Sequence, residues 1–245
     1  MIRVLVVDDE VLLRSCMQRI LESEPDIEVP AACDGRGAVE AVERHRPDVV
    51  LLDLRMPDVD GLSVLAALQA RSVRPAVAVL TTFSADEDIA AALGAGASGF
   101  LLKDATPREL ADAVRVLASG GTVLSSTAAR VVVDGYLSGG RTRPAPRDPR
   151  LDSLTERERQ VLELVAEGLT NADIGRRLLM SASTTKEHVS AILSKLGLAN
   201  RVQAAVLAHS IAAGVPASSR TTSSGTTSSR TTSSRPPLAL AAASH

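Results

Sequence analysis

The chain predicts a doubly wound α/β domain, a five-stranded parallel sheet in the order 2-1-3-4-5, followed by an all-α module of four helices. Three observations predict it. Short runs of β-branched residues and leucine, at 2–7, 49–52, 76–80 and 99–102, lack polar alternation and so have the composition of strands buried on both faces. Helical patterns alternate with these runs through residue 120. From Leu154 onward the apolar period is helical throughout.

Taken in order, the first helix (11–24) gathers Leu13, Cys16, Met17, Ile20 and Leu21 on one face. The second strand, near 27–33, contains Pro30, which lacks a ladder donor and belongs at a sheet edge. In the 2-1-3-4-5 order of flavodoxin-like sheets the second strand is that edge. Later helices are expected at 36–45, 62–70, 86–95 and 107–119, the last with Pro107 in its first turn. A helical extension near 126–137 leads into a Pro/Gly/Arg-rich linker at 138–149. In the all-α module, Thr155 and Glu158 have capping-box spacing, and Val161, Leu162 and Val165 follow at helical period. Three more helices are expected at 171–179, 183–196 and 200–213, with Asn200 as an N-cap. Beyond Pro216 the repeat TTSSG-TTSSR-TTSSR holds no large apolar residue and is expected to be disordered. The expected organisation is therefore 1–120, a 121–150 extension and linker, 151–215, and a 216–245 tail.

Phe83, Phe100 and Tyr136 are the only aromatics, so the core must be aliphatic. A net charge of −2 excludes a strongly basic nucleic-acid coat, but the charge is unevenly spread. Residues 1–120 carry a net −8, residues 121–150 a net +3, and residues 151–215 balance, which fits two domains and a linker. The tail adds three arginines and no acid. Cys16 and Cys33 have neither CxxC spacing nor a His cluster beside them, and read as reduced core thiols. Arg3 and Asp8-Asp9 interrupt the apolar start, and no run approaches the roughly 20 apolar residues of a membrane span. A cytoplasmic protein with no membrane partner is expected.

The residues that follow the apolar runs carry the chemistry: Asp8-Asp9, Asp53, Thr81 and Lys103. In an open parallel sheet, sites form at the carboxyl ends of the strands, so these side chains should share one pocket. Three carboxylates within about 4 Å would repel by roughly 4 kcal/mol per pair at an effective dielectric near 20. That arrangement makes sense around a hard divalent cation such as Mg²⁺, which takes a few carboxylate oxygens and keeps several waters. Lys103 on the same rim suggests a ligand more negative than a metal alone can neutralise. A phosphoryl group meets that need, with Thr81 hydrogen-bonding one oxygen and Asp53 as the nucleophile of an acyl phosphate.

These residues match a family. The segments VLVVDDE (4–10), LLDLRMPDVDG (51–61), LTT (80–82) and GFLLKDATP (99–107) closely resemble the receiver domain of two-component response regulators. The resemblance implies Asp8 and Asp9 as acidic Mg²⁺ residues alongside Asp53. It implies Asp53 as the phosphoacceptor for a sensor histidine kinase, Thr81 as the hydroxyl switch and Lys103 as the phosphate-pairing lysine. Phe100 falls where the family has a switch aromatic; Tyr is common there, and Phe loses the hydroxyl contact. Haloacid-dehalogenase-type phosphatases also form acyl phosphates but need Asp-x-Asp, and Arg55 stands two past Asp53. The expectation is no enzyme beyond self-phosphorylation from a donor and self-dephosphorylation.

The segments LTERERQVLELVAEGLTNADIGRRL (154–178), SASTTKEHVSAILSKLG (181–197) and RVQA (201–204) resemble the helix-turn-helix domain of NarL/FixJ (LuxR-type) regulators. The resemblance implies that a helix near 184–196 enters the major groove of double-stranded promoter DNA. Lys186 would lie at its DNA-facing start, with Glu187 and Ser190 at neighbouring readout positions and His188 as a groove contact or a packing residue. Thr184, Thr185, Lys195 and Arg201 are candidate backbone contacts. Two features depart from the family: Thr185 stands where Val is usual, and Glu187 puts an acid on the DNA face, where it can accept from cytosine N4. A homodimer on inverted half-sites is the expected bound state. The rivals are a phosphorylation-independent regulator and a phosphorelay or protein-binding adaptor without DNA affinity.

Overall fold

The computed structural model describes residues 1–71, 74–82, 86–138 and 149–213. The heart of the expected linker and the Ser/Thr/Arg-rich tail lie outside the described residues. Five parallel strands, β1 (Ile2–Val7), β2 (Ile27–Cys33), β3 (Val49–Asp53), β4 (Ala76–Thr81) and β5 (Gly99–Leu102), form one sheet in the order β2-β1-β3-β4-β5. That is the order the sequence predicts. Between them run α1 (Val11–Glu22), α2 (Ala38–His45), α3 (Gly61–Gln69) and α4 (Asp86–Gly94), and α5 (Pro107–Ala118) follows β5.

The unalternated strands are buried on both faces because each face supports its own core. Leu5, Val7, Val50, Leu52, Val77, Val79 and Phe100 point into one. Val4, Val6, Val49, Leu51, Ala78, Leu80 and Leu101 point into the other. Each fully buried Val or Leu contributes about 1.5–3 kcal/mol relative to exposure. Pro30 sits on the edge strand, as expected. Arg3 pairs with Glu28 but Leu5 pairs with Ala31, so β2 carries an extra residue where the proline cannot donate. Cys16 is exposed rather than in the core. The buried stripe of α1 is centred on Met17 and Leu21, with Leu13 and Ile20 packed beside them, and Cys16 lies past its margin.

After α5 the chain lays residues 123–125 along β5 before entering α6 (Ser126–Ser138). The Phe100 amide donates to Val123 O at 2.7 Å and the Ser125 amide to Phe100 O at 3.1 Å, which covers the sheet's other edge. In α6, Ala128 is buried and Val131 and Val132 pack on the same core as α4.

The helical module comprises α7 (Glu156–Ala166), α8 (Asn171–Leu178), α9 (Ala182–Leu196) and α10 (Arg201–Ala213) around Leu154, Val161, Val165, Ile174, Ile192 and Leu196. Its helices begin where side chains satisfy the orphan amides. Thr155 with Glu158 and Thr170 with Asp173 form capping boxes, and Ser181 Oγ accepts from the Thr184 amide at 3.0 Å. Asn200 Oδ1 accepts from the Gln203 amide at 2.9 Å, the cap expected at this position. The sheet domain and the helical module pack together within one compact unit.

Candidate phosphoryl pocket and DNA-facing helix

Asp8, Asp53, Thr81 and Lys103 meet at the carboxyl edge of the sheet because they end or follow the four adjacent strands β1, β3, β4 and β5. Asp8 is fully buried and Asp53 almost so. One carboxylate oxygen each from Asp8, Asp9 and Asp53 lies within 4.8 Å of the others. The Lys103 ammonium reaches both buried acids, at 2.8 Å from Asp8 Oδ2 and 2.9 Å from Asp53 Oδ2. Burial pulls this ammonium down, and the two carboxylates more than offset it, holding the group above its ordinary value. Backbone amides take the remaining oxygens: Glu10 N donates to Asp8 Oδ1 at 2.9 Å, and Arg55 N to Asp53 Oδ1 at 3.1 Å. Asp8 Oδ2 has the ammonium beside it but no aligned hydrogen bond. One ammonium therefore serves two buried acids with a third carboxylate beside them, so negative charge is in surplus. That donor set, all hard oxygen, fits a divalent cation.

Above Asp53 opens a cavity of about 210 Å³, lined by Glu10, Arg55, Thr81, Thr82, Asp88 and Lys103. The loop after Asp53 doubles back so tightly that a Cβ on Gly61 would lie 2.5 Å from Asp53 O and Leu54 Cα. Only glycine permits this return, after which the Asp60 carboxylate caps α3 through the Leu62 and Ser63 amides, both at 3.2 Å. Phe100, at the implied switch position, is fully buried beside these strands.

On α9, Thr184, Lys186, Glu187 and Ser190 are exposed and His188 is half-buried. Lys186, Glu187 and Ser190 line a cleft of about 930 Å³ whose opposite wall is Asp48, Arg71 and Arg74 of the sheet domain. The remaining candidates are already engaged. Thr185 is fully buried, and its hydroxyl donates to Ser181 O at 3.1 Å. Lys195 closes on Glu158 of α7 at 2.8 and 2.7 Å. Arg201 donates to Asn171 Oδ1 at 2.9 Å and to Leu169 O, and burial pulls its guanidinium down to about 10.

Residues 4–115 match the response regulator receiver domain, and residues 152–208 match the bacterial regulatory proteins of the luxR family. The chain belongs to the LuxR-type response regulators. It is 38% identical over 207 residues to the nitrate/nitrite response regulator protein NarL of Escherichia coli (strain K12), spanning 84% of this chain and 94% of that protein. It is 39% identical over 210 residues to the transcriptional regulatory protein LiaR of Bacillus subtilis (strain 168), spanning 85% and 97%. It is 36% identical over 209 residues to the DNA-binding transcriptional activator DevR/DosR of Mycobacterium tuberculosis (strain ATCC 25618 / H37Rv), spanning 85% and 94%. It is accordingly a DNA-binding transcriptional regulator of a two-component system. Among the described residues no helix is long and apolar enough to cross a membrane.

Sequence reasoning missed several residues of this response regulator that the site uses. Arg55 pairs with Asp88 at 2.7 Å across the mouth of the pocket, and Arg130 on α6 pairs with Asp86 at 2.7 Å. Arg55's place two past the acceptor was a usable signal. The cluster Asp86-Glu87-Asp88 at the start of α4 was another. Asn171 and Asn200 join the two domains. The Asn171 amide donates to Ser119 O at 3.0 Å, and its side chain rests against Gly120, where a Cβ would come within 2.0 Å of Nδ2.

Proposed function

We propose that a sensor histidine kinase transfers a phosphoryl group to Asp53, and that this frees the helix-turn-helix to bind promoter DNA. The convergence of Asp8, Asp9, Asp53 and Lys103 beneath one open cavity carries the reading. An Asp53 oxygen attacks the phosphorus of the donor, the phosphohistidine nitrogen leaves, and an acyl phosphate forms. Lys103 pairs with the incoming dianion, and Thr81 at the end of β4 hydrogen-bonds one of its oxygens. Asp8, Asp9 and Asp53 would hold Mg²⁺, which neutralises charge on the transferring group. Phe100 and Thr81 form the switch that carries the change to α4, β5 and α5.

A recognition helix works with its outer face inside a groove about 12 Å wide and 8.5 Å deep. Lys186, Glu187 and Ser190 face Asp48, Arg71 and Arg74 across a cleft of only about 930 Å³, which cannot hold a duplex, so the domains must part before α9 can be used. Once they part, Lys186, Glu187, Ser190 and His188 read bases, with Thr184 toward the backbone, while Thr185, Lys195 and Arg201 keep their partners inside the helical module. The protein acts in the cytoplasm, and the active species is a homodimer on inverted half-sites. Phosphoryl incorporation from acetyl phosphate with Mg²⁺, followed by intact-mass measurement, tests the first step. One added phosphoryl group in the wild type and none in Asp53→Asn is expected; equal labelling of both would overturn the assignment.

A further inference from the structure

The polar contact between the two domains with the greatest burial belongs to one side chain. Asn200 is 3% exposed, and its two ends do different work. Its Oδ1 caps α10 through the Gln203 amide. Its Nδ2 donates to Leu93 O and Ala97 O of the receiver, both at 2.8 Å. Leu93 lies in the last turn of α4, where its carbonyl accepts from the Gly96 amide at 3.2 Å and takes the shorter Asn200 bond on its second lone pair. Gln203 Nε2 adds a weaker contact to Leu93 O at 3.3 Å. The other end of α4 stands at the phosphoryl pocket, where Asp88 lines the cavity and holds Arg55.

We propose that the Asn200 carboxamide is the releasable tie between the domains, holding the DNA-binding module closed through the last turn of α4. Both partners of the tie are polar groups that water can satisfy once the domains part, so its net strength is modest and suited to a switch. A phosphoryl dianion beside Arg55 competes with Asp88 for the guanidinium, which loosens the near end of α4 while Asn200 holds the far end. The proposal rests on the phosphoryl-switched reading above for that last step alone. The tie itself stands on the geometry of the unphosphorylated chain.

The full chain carrying Asn200→Ser tests it, because serine keeps an N-cap acceptor but has no amide to donate. Asn200→Asp is the second variant: it also caps α10 and sets a carboxylate against two carbonyl oxygens. Spin labels at the native, exposed Cys16 and at Glu163→Cys, in a Cys33→Ser background, report domain separation by pulsed electron resonance. Unchanged far-ultraviolet circular dichroism separates opening from unfolding. Without any phosphoryl mimic, both variants should show a longer, broader distance than Asn200. Asn200→Ser should also bind DNA roughly tenfold more tightly than wild type, since it loses two donors worth a few-fold each. Because beryllofluoride also favours the open state in this reading, the variant's affinity for it should rise too, by no more than the same factor. Wild-type distances and wild-type DNA affinity in both variants would overturn the tie. If the wild type ignored beryllofluoride, the phosphoryl reading would fail, while the mimic-free distances would still decide the role of Asn200.

Discussion

Lys103 and Lys195 each meet two carboxylate oxygens, with opposite meaning. Lys195 meets both oxygens of buried Glu158, whose carboxylate also accepts from the Thr155 amide at 2.7 Å. One acid, one ammonium and one amide close the account there. Lys103 instead divides itself between Asp8 and Asp53 while Asp9 adds a third carboxylate. The first cluster is complete and holds a helix bundle together. The second carries surplus negative charge and an oxygen without an aligned donor, which stability alone does not explain. Charge left over after every internal partner is counted marks the ligand site; lysine and carboxylate proximity does not.

The contrast makes the two clusters respond in opposite directions to neutralisation. Glu158→Ala removes a buried partner of Lys195 and half of a capping box, and should destabilise the helical module by about 3 kcal/mol in a denaturant melt. Saturating Mg²⁺, at 100 times its dissociation constant, should stabilise the receiver by about 2.7 kcal/mol. Asp9→Asn should lose most of that gain. In metal chelator, however, Asp9→Asn should melt higher than wild type by ~2–4 °C, because Asp9 is the part-exposed acid of the three and removing its water-screened charge relieves about 1 kcal/mol of repulsion. A lower melting temperature for Asp9→Asn in chelator would break the comparison.

The smallest effect is in pH. Burial raises the Glu158 carboxyl, but the hydrogen bonds from Lys195 and from Thr155 outweigh it and hold the group below its ordinary value. A group depressed in the folded state contributes stability that is complete above its unfolded value and lost as pH falls through the folded one. The stability difference between wild type and Glu158→Gln should therefore be flat above about pH 5 and shrink below 4.5. A difference that grew on acidification would show that Lys195 does not hold the carboxylate.

The sheet and the pocket were legible in one dimension because each depends on local order. A buried parallel strand writes an unbroken apolar run, and the residue after the run is delivered to the carboxyl edge wherever the strand lies. Pro30 marked its own edge, and Thr155 and Asn200 marked helix starts. The DNA-facing set was less legible because exposure depends on partners far along the chain. Lys195 is taken by a residue 37 positions earlier, and Arg201 by one 30 positions earlier. Thr185 could have been placed: Val189, Ile192 and Leu196 form a stripe of α9 that extends back four residues to it. The usual Val at that position fits the same buried environment. Nothing local announced Asn200's second use, since a capping oxygen says nothing about where the amide points.

The most direct test of the whole account is enrichment of genomic DNA fragments on the purified full chain, with and without Mg²⁺ and beryllofluoride, alongside Asp53→Asn. A surplus-charged pocket controlling an occluded helix predicts enrichment that rises with the mimic in the wild type and not in the variant. Equal enrichment in every lane, or none in any, would contradict it.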